Sequence, residues 1–503
     1  MKHDHPALRR LDDFHVEIAN PQGIPAVLIA GRDVPVGPEA VDELLNFLSV
    51  QDVLVALGDD FWGGPPGSIR RVVLTPDFHR GAGIPVGTVA KTEGFILPRS
   101  VGNDVGCGMR LLALDVRADE LRARLSDLPG TFRSIFFAGR RDIPMSPRQR
   151  EAVLRDGLSG LAATASDNAG VGAWVYYDAR RERLDRVHLG GSLPTRDNFA
   201  FADYIKGSGA SDSRDAQIGS IGGGNHFVEV QAVEDVIDGP TAEVFGLRRG
   251  AAVVMVHSGS VGLGHAVGGH FNDLAKRLHP AGAAHGSGFY ALPTRGPHKA
   301  VAEAYLSALG NAANFAFANR LFLGLMAVRA VSEVFGRTVD WSTVYDAPHN
   351  LVWSSGEAWL HRKGACPALG PAPESDSPFR YTGEPVLVPG SMGTPSYVLA
   401  GEGNEPSLSS ACHGAGRSLA RGAAKVAVEA FDEEMASLVV VTPVDTEAPS
   451  IRLRRDIVQN LRDRLMEEAP HAYKAIDPVV ASVEGAGIAR RVARLVPILT
   501  VKG

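Results

Sequence analysis

Cysteine is scarce in this chain: Cys107, Cys366 and Cys412 are the only three among 503 residues. An odd handful of thiols builds no disulfide framework. It fits a reducing, cytoplasmic setting and leaves each thiol free for other chemistry. Positive charge is also in short supply. Lys and Arg total 51 against 57 Asp and Glu, a net charge of −6. A general basic coat for nucleic acid is therefore excluded, and any binding of RNA or DNA must run through a local patch. Long apolar runs are missing. Stretches such as 321–328 fall far short of the roughly 20 residues of a membrane span. The opening Met1-Lys2-His3-Asp4-His5 starts no apolar run, so neither a signal peptide nor a membrane partner is expected. Two nucleotide-binding fingerprints are lacking as well. There is no Gly-x-x-x-x-Gly-Lys-Ser/Thr string and no glycine fingerprint after a strand, which excludes a P-loop and a Rossmann site.

What is plentiful is glycine (57) and proline (32), on 45% hydrophobic content. That mixture predicts a loop-rich α/β (mixed α+β) enzyme with central β-sheets flanked by helices. Helical periodicity covers 41–57 and ends at the Gly63-Gly64-Pro65-Pro66-Gly67 cluster. Strands are expected at 71–74, 86–90, 94–97, 109–116, 227–230 and 251–256, with a loop over 75–83. Residues 297–337 read as one or two helices. Their stripe of Tyr305, Leu309, Ala312, Phe315, Phe317 and Leu321 is taken as core packing. Residues 364–377 read as a surface loop, and 411–431 as a loop leading into a helix. The segment at about 117–215 is the least regular and reads as a peripheral excursion. Its Arg180, Arg181, Arg183 and Arg186 form either a basic patch or, by the plainer reading, a solvated helix face. Candidate sites spread from 77 to 502, so residues 1–503 are read as one interlocked catalytic domain.

Several short strings carry chemistry. Cys107 follows Asp104 by three residues and is fenced by Gly106 and Gly108. His226 follows a glycine run, His257 ends an apolar strand, and His349 sits in Asp346-Ala347-Pro348-His349-Asn350. Taken alone, each histidine could as well be a hydrogen-bonded structural one. Together with Asp104 and Cys107 they make a mixed O/S/N ligand set, sufficient for two divalent cations if the thiolate bridges. Thiolate and imidazole favour zinc; the carboxylate pulls toward manganese or magnesium.

His413 lies in Cys412-His413-Gly414-Ala415-Gly416-Arg417. Glycines, a following helix N-terminus and the Arg417 fork would make an anion site there. A histidine in such a pocket can act as a nucleophile forming a phosphoramidate. Cys412 has no base partner and is not read as the nucleophile. Residues 389–397 offer hydroxyls and backbone donors for a nucleotide. The apolar C-terminal run predicts a docked tail that carries Lys502 toward the site.

These strings, in this order, resemble the RtcB-type RNA ligase family. The matching residues include Pro76-Asp77-x-His79, Val101-Gly102-Asn103-Asp104-Val105-Gly106-Cys107-Gly108-Met109-Arg110, Gly224-Asn225-His226-Phe227-Val228-Glu229 and His257-Ser258-Gly259-Ser260. They continue with Tyr345-Asp346-x-x-His349-Asn350, His361-Arg362-Lys363-Gly364-Ala365, Cys412 to Arg417, Ala469-Pro470-x-Ala472-Tyr473-Lys474 and Val501-Lys502-Gly503. The resemblance implies GTP and two Mn2+ ions. Asp104, Cys107 and His226 would hold one ion, and Cys107, His257 and His349 the other. It implies His413 as the guanylylated nucleophile. Asn225, Phe227, Glu229, Asn350, Ser391, Ser396, Ala415, Gly416, Tyr473 and Lys502 would contact guanylate. Asp77, Lys363 and Arg417 would face RNA or phosphate. The implied reaction joins RNA 2′,3′-cyclic phosphate or 3′-phosphate ends to 5′-hydroxyl ends in tRNA splicing or RNA repair, with an archease-like activator as a possible partner.

The chain also departs from the pattern. Val261 and Cys366-Pro367 stand where the family usually carries arginine or Thr-Arg, and the Asp77 loop has unusual Phe78 and Arg80. A diverged paralogue is expected, with guanylylation retained and a shifted RNA substrate or end chemistry.

Overall fold

Two large sheets carry the fold of the computed structural model, which describes residues 5–102, 104–199, 201–206, 218–280, 283, 285–425 and 428–503. Asn103 of the Cys107 string, the first four residues, and residues 200 and 207–215 of the 117–215 segment lie outside that set. The first sheet has seven strands in the order Leu8–Arg10, His15–Ile18, Ala26–Ile29, Ser68–His79, Val86–Glu93, Ala358–Lys363, Asn350–Ser355. The second runs Trp341–Pro348, Gly108–Arg117, Ala251–Ser258, Phe227–Val236, Ala489–Val501, Ser396–Gly401, Pro385–Val388, with Val440–Val441 paired to the end of Ala489–Val501. Both are almost wholly antiparallel, and their inward faces are Val-, Ile- and Leu-rich, as half-buried strands require. The α/β reading holds, as a compact fold whose second sheet curls toward a barrel.

The spine is one helix, Lys299–Phe335, 37 residues long and closed by Gly336 at φ 63°. The expected single core stripe proves too narrow. From Ser307 to Val328 every residue is buried, because the helix packs on the second sheet on one side and on helices Leu128–Phe136 and Pro147–Thr164 on the other. It is long and apolar enough to cross a membrane, yet 94% of that window is buried inside the protein. Its polar residues serve the loops around it. Asn311 donates to Leu154 O at 2.9 Å, and Asn319 donates to Gly259 O at 3.0 Å.

Three local expectations change. The strand through Leu74 does not give way to a loop but runs on to His79, with a register shift after Leu74, so Asp77 is a buried strand residue. Residues 365–367 are not surface loop; they form a buried strand against Ser410–Cys412. The helix expected after His413 starts only at Arg421 and lasts four residues. The segment 117–215 reaches the interior at Glu182, which is fully buried. Three arginines of its 180–186 run have close partners: Arg181 pairs with Asp340 at 2.9 Å, Arg183 with Asp185 at 2.7 Å, and Arg186 donates to Val244 O at 2.8 Å.

Candidate active site

Four neighbouring strands of the second sheet deliver their ends to one point. Cys107 immediately precedes Gly108–Arg117, His226 precedes Phe227–Val236, His257 is the penultimate residue of Ala251–Ser258, and His349 follows Trp341–Pro348. The register pairs His257 with both Met109 and Phe227, and Gly108 with Pro348, which brings these ends level. Cys107 Sγ lies 3.2 Å from His226 Nε2 and 3.3 Å from His257 Nε2. His257 Nε2 is 3.3 Å from His349 Nε2, and His226 Nε2 is 2.8 Å from Asp104 Oδ2. The five candidate ligands thus form two groups, Asp104–Cys107–His226 and Cys107–His257–His349, each with its ligand atoms within 4.8 Å and with Cys107 in common.

The chemistry of this donor set suits divalent cations. His226 Nδ1 donates to Ile221 O at 2.9 Å, which leaves its Nε2 lone pair facing Cys107 and Asp104. Asp104 Oδ1 is buried without a hydrogen-bond partner. Burial, reinforced by the Asp104 charge, pushes the Cys107 thiol up, and burial pushes His257 and His349 down. Three neutral imidazole and thiol groups crowded at hydrogen-bond distance gain most when a cation deprotonates the thiol and satisfies every lone pair.

Beneath the cluster lies an ionic frame in which every side chain is fully buried. Arg320 donates from Nη1 to Gly106 O at 2.6 Å and Ser258 O at 3.1 Å, the carbonyls beside Cys107 and His257, and from Nε to Asp346 Oδ1 at 2.9 Å. Arg110 joins Asp346 Oδ2 at 3.0 Å to Glu182 Oε1 at 3.0 Å. Burial pushes Glu182 up to about 7 against the pull of Arg110.

His413 stands beside the cluster, its ring centroid 4.6 Å from that of His349. Its Nδ1 lies 2.6 Å from Asp77 Oδ2, and its backbone N–H donates to the same oxygen at 3.2 Å. Burial opposes a charge on Asp77, but hydrogen bonds from His413 and Thr75 outweigh it and hold the carboxyl below its usual range. The chain passes so close here that a Cβ on Gly416 (φ 76°) would meet Asp77 O at 2.2 Å, so only glycine fits. Lys474 donates to Pro76 O at 3.0 Å and Phe78 O at 2.7 Å, clamping the backbone on both sides of Asp77.

The cluster and His413 open into a cavity of about 390 Å³, within the size range of small-ligand sites. Of the expected nucleotide contacts, Asn225, Phe227, Glu229, Asn350, Ser391, Ala415, Gly416, Tyr473 and Lys502 line it, together with Lys363 and Arg417. Lys502, carried in by the strand Ala489–Val501, donates to Gly224 O at 2.6 Å and His226 O at 3.0 Å, and burial lowers it to about 8. Burial raises Glu229 to about 7. Arg417 lies 5.1 Å over the Tyr473 ring and donates to Glu468 at 3.3 Å, with its Nη2 buried and unpartnered.

Three placements depart from expectation. Asp77, expected to face RNA or phosphate, is fully buried with its carboxylate on the His413 ring. Ser396 lies behind the cavity wall, accepting from Gln231 at 2.9 Å. Asn350 lines the cavity, but its amide is committed to backbone, accepting from Gly364 N at 2.8 Å and donating to Asp104 O at 3.3 Å. Nor does a helix dipole act on His413, since the next helix is short and eight residues on. Sequence reasoning missed Glu468, Glu182, Arg320 and the clamping role of Lys474. Glu468 precedes the matched Ala469-Pro470 string; Arg320 was detectable as the lone charge in 304–328.

An oriented imidazole beside a two-group ligand cluster, both at the floor of one cavity, is the layout of an enzyme that transfers a charged group. A family sequence model described as "tRNA-splicing ligase RtcB" matches residues 64–503, and the chain belongs to that family. It is 35% identical over 465 residues to the tRNA-splicing ligase RtcB of Thermococcus kodakarensis, covering 87% of this chain and 89% of that protein. Identity to the RNA-splicing ligase RtcB of Mycobacterium tuberculosis is 35% over 463 residues, 87% of this chain and 98% of the relative. The tRNA-splicing ligase RtcB of Nanoarchaeum equitans is 30% identical over 522 aligned positions, 99% of each chain.

Proposed function

We propose that this chain is an RNA ligase that uses GTP and manganese to join 2′,3′-cyclic phosphate or 3′-phosphate RNA ends to 5′-hydroxyl ends, in the cytoplasm. Family membership supports the ligase class. The observation that carries the mechanism is the Asp77–His413 pair, 2.6 Å apart and beside the Cys107 cluster.

Asp77 accepts the Nδ1 proton, so the Nε2 lone pair of His413 is left to attack. Bond formation between Nε2 and the α-phosphorus of GTP breaks the bond to the β-phosphate oxygen, and pyrophosphate leaves. Where the RNA ends in a 2′,3′-cyclic phosphate, water first attacks its phosphorus and the bond to O2′ breaks, leaving a 3′-phosphate and a 2′-hydroxyl. An oxygen of the RNA 3′-phosphate then attacks the guanylate phosphorus and displaces Nε2, leaving an RNA end joined to GMP through a pyrophosphate. Attack of the 5′-hydroxyl on the RNA phosphorus releases GMP. A buried Asp77 carboxylate balances the imidazolium character that His413 gains in the first step. Two ions, held by Asp104, Cys107 and His226 and by Cys107, His257 and His349, would offset the charge on the phosphates. Lys363, Arg417 and Lys502 supply fixed positive charge around the cavity, and Tyr473 and Phe227 supply its flat walls.

A second reading, guanylylation of 3′-phosphate ends without sealing, is favoured by one feature: Val261 and Cys366-Pro367 remove cations the family usually carries there. One experiment separates the two. A broken stem-loop with 3′-phosphate and 5′-hydroxyl ends is incubated with the protein, GTP and manganese. Sealed product supports the ligase; accumulation of the guanylylated 3′ end alone supports the second reading; neither product sinks both.

A further inference from the structure

Arg80 is an exposed guanidinium on the loop that follows the Asp77 strand, three residues beyond the orienter of His413. Among the described residues it makes no hydrogen bond or ion pair. Its neighbours in sequence are held firmly. Glu43 accepts from Gly81 N and Gly83 N, both at 2.6 Å, which pins the loop backbone while the Arg80 side chain stays free. Arg80 lines the main cavity and also a shallow groove beside it, which it shares with Arg99. Arg99 is already engaged, stacked 5.7 Å from the Phe289 ring. Glu39, Asp42 and Glu43 also line that groove and repel a longer polyanion. The surroundings thus admit one phosphate at Arg80 but no extended track.

Taking the ligase reading as its premise, we propose that Arg80 binds a backbone phosphate of the RNA strand that ends in the 3′-phosphate, next to its reacting end. A planar, permanently charged fork suits a phosphate diester. Arg80 is therefore a substrate-positioning residue.

The test measures binding of a fluorescent single-stranded oligoribonucleotide ending in 3′-phosphate, with full-length protein, across a salt series. Loss of one phosphate contact on a single strand lowers the slope of log affinity against log salt by about 0.7. That slope makes Arg80→Ala about fivefold weaker at about 0.1 M salt than the wild type, relative to their difference at 1 M. Arg80→Lys should keep most of the slope, because a point charge still neutralises a phosphate. A slope in Arg80→Ala equal to the wild type overturns the proposal, as does a wild type that fails to bind the oligonucleotide. A separate arm asks whether wild-type protein forms a GMP adduct from GTP. Failure there sinks the ligase premise, and the slope comparison reports on Arg80 by itself.

Discussion

His413 presents Nδ1 to Asp77 Oδ2 at 2.6 Å, and the same carboxylate oxygen takes the His413 backbone N–H at 3.2 Å. One oxygen thus fixes both the ring and the chain that bears it. Asp77→Asn keeps the shape but removes the charge and offers the wrong proton to the ring. Guanylylation should fall steeply, by up to about 10⁴-fold, the loss that follows when an orienting carboxylate is neutralised. Single-turnover labelling with GTP checks this, and a rate within a factor of a few of wild type would refute the role.

Cys107 belongs to both ligand groups, whereas Asp104 and His226 belong to one. Cys107→Ala should therefore lose both ions on dialysis, and Asp104→Ala only one. Elemental analysis of the metal-loaded proteins counts them. Two ions retained by Cys107→Ala would rule out bridging.

Lys363 is pushed down to about 8 by burial, with Glu43 resisting the shift. It is a cation at pH 7 and neutral at pH 9, so affinity for a 3′-phosphate RNA end should fall as pH rises through 8. Lys363→Met should flatten that limb. Stability moves the other way. The folded value lies below the unfolded 10.5, so the cost of burying the charge is fully present below pH 8 and vanishes as pH rises through 10.5. The stability difference between Lys363→Met and wild type should thus shrink across that window in denaturant melts.

Glu182 lies at the end of a fully buried frame that runs through Arg110 and Asp346 to Arg320. Removing one partner strands a buried cation. Glu182→Leu should cost about 3–5 kcal/mol, read as a lower denaturant midpoint, although Glu182 touches no candidate ligand.

Val261 holds φ 51°, ψ −127° at the start of helix Gly262–Leu278, a conformation that strains a β-branched side chain. Val261→Gly should gain up to about 1 kcal/mol after the added chain entropy is subtracted. A loss of stability would show that Val261 contributes packing that outweighs its strain.

Much of this is legible in the sequence. The α/β class followed from glycine- and proline-punctuated apolar runs, and the ligand strings stood out because each placed a polar residue at the end of such a run. The misreadings share one cause. Asp77 looked like a loop residue because Thr75-Pro76-Asp77 reads as a turn, yet tertiary contacts with Gly416 and Lys474 hold it extended. The all-round burial of Lys299–Phe335 was hidden because periodicity records one apolar face and not how many neighbours surround a helix. Arg110, Glu182 and Arg320 are far apart in sequence, and nothing local marks charges that meet only in the folded core.

The central claim is that His413 carries the nucleotide. Wild-type protein incubated with labelled GTP and manganese should acquire one acid-labile GMP, mapped by mass spectrometry to the peptide containing His413, and His413→Ala should acquire none. Label on another residue, or undiminished label in His413→Ala, would contradict the account.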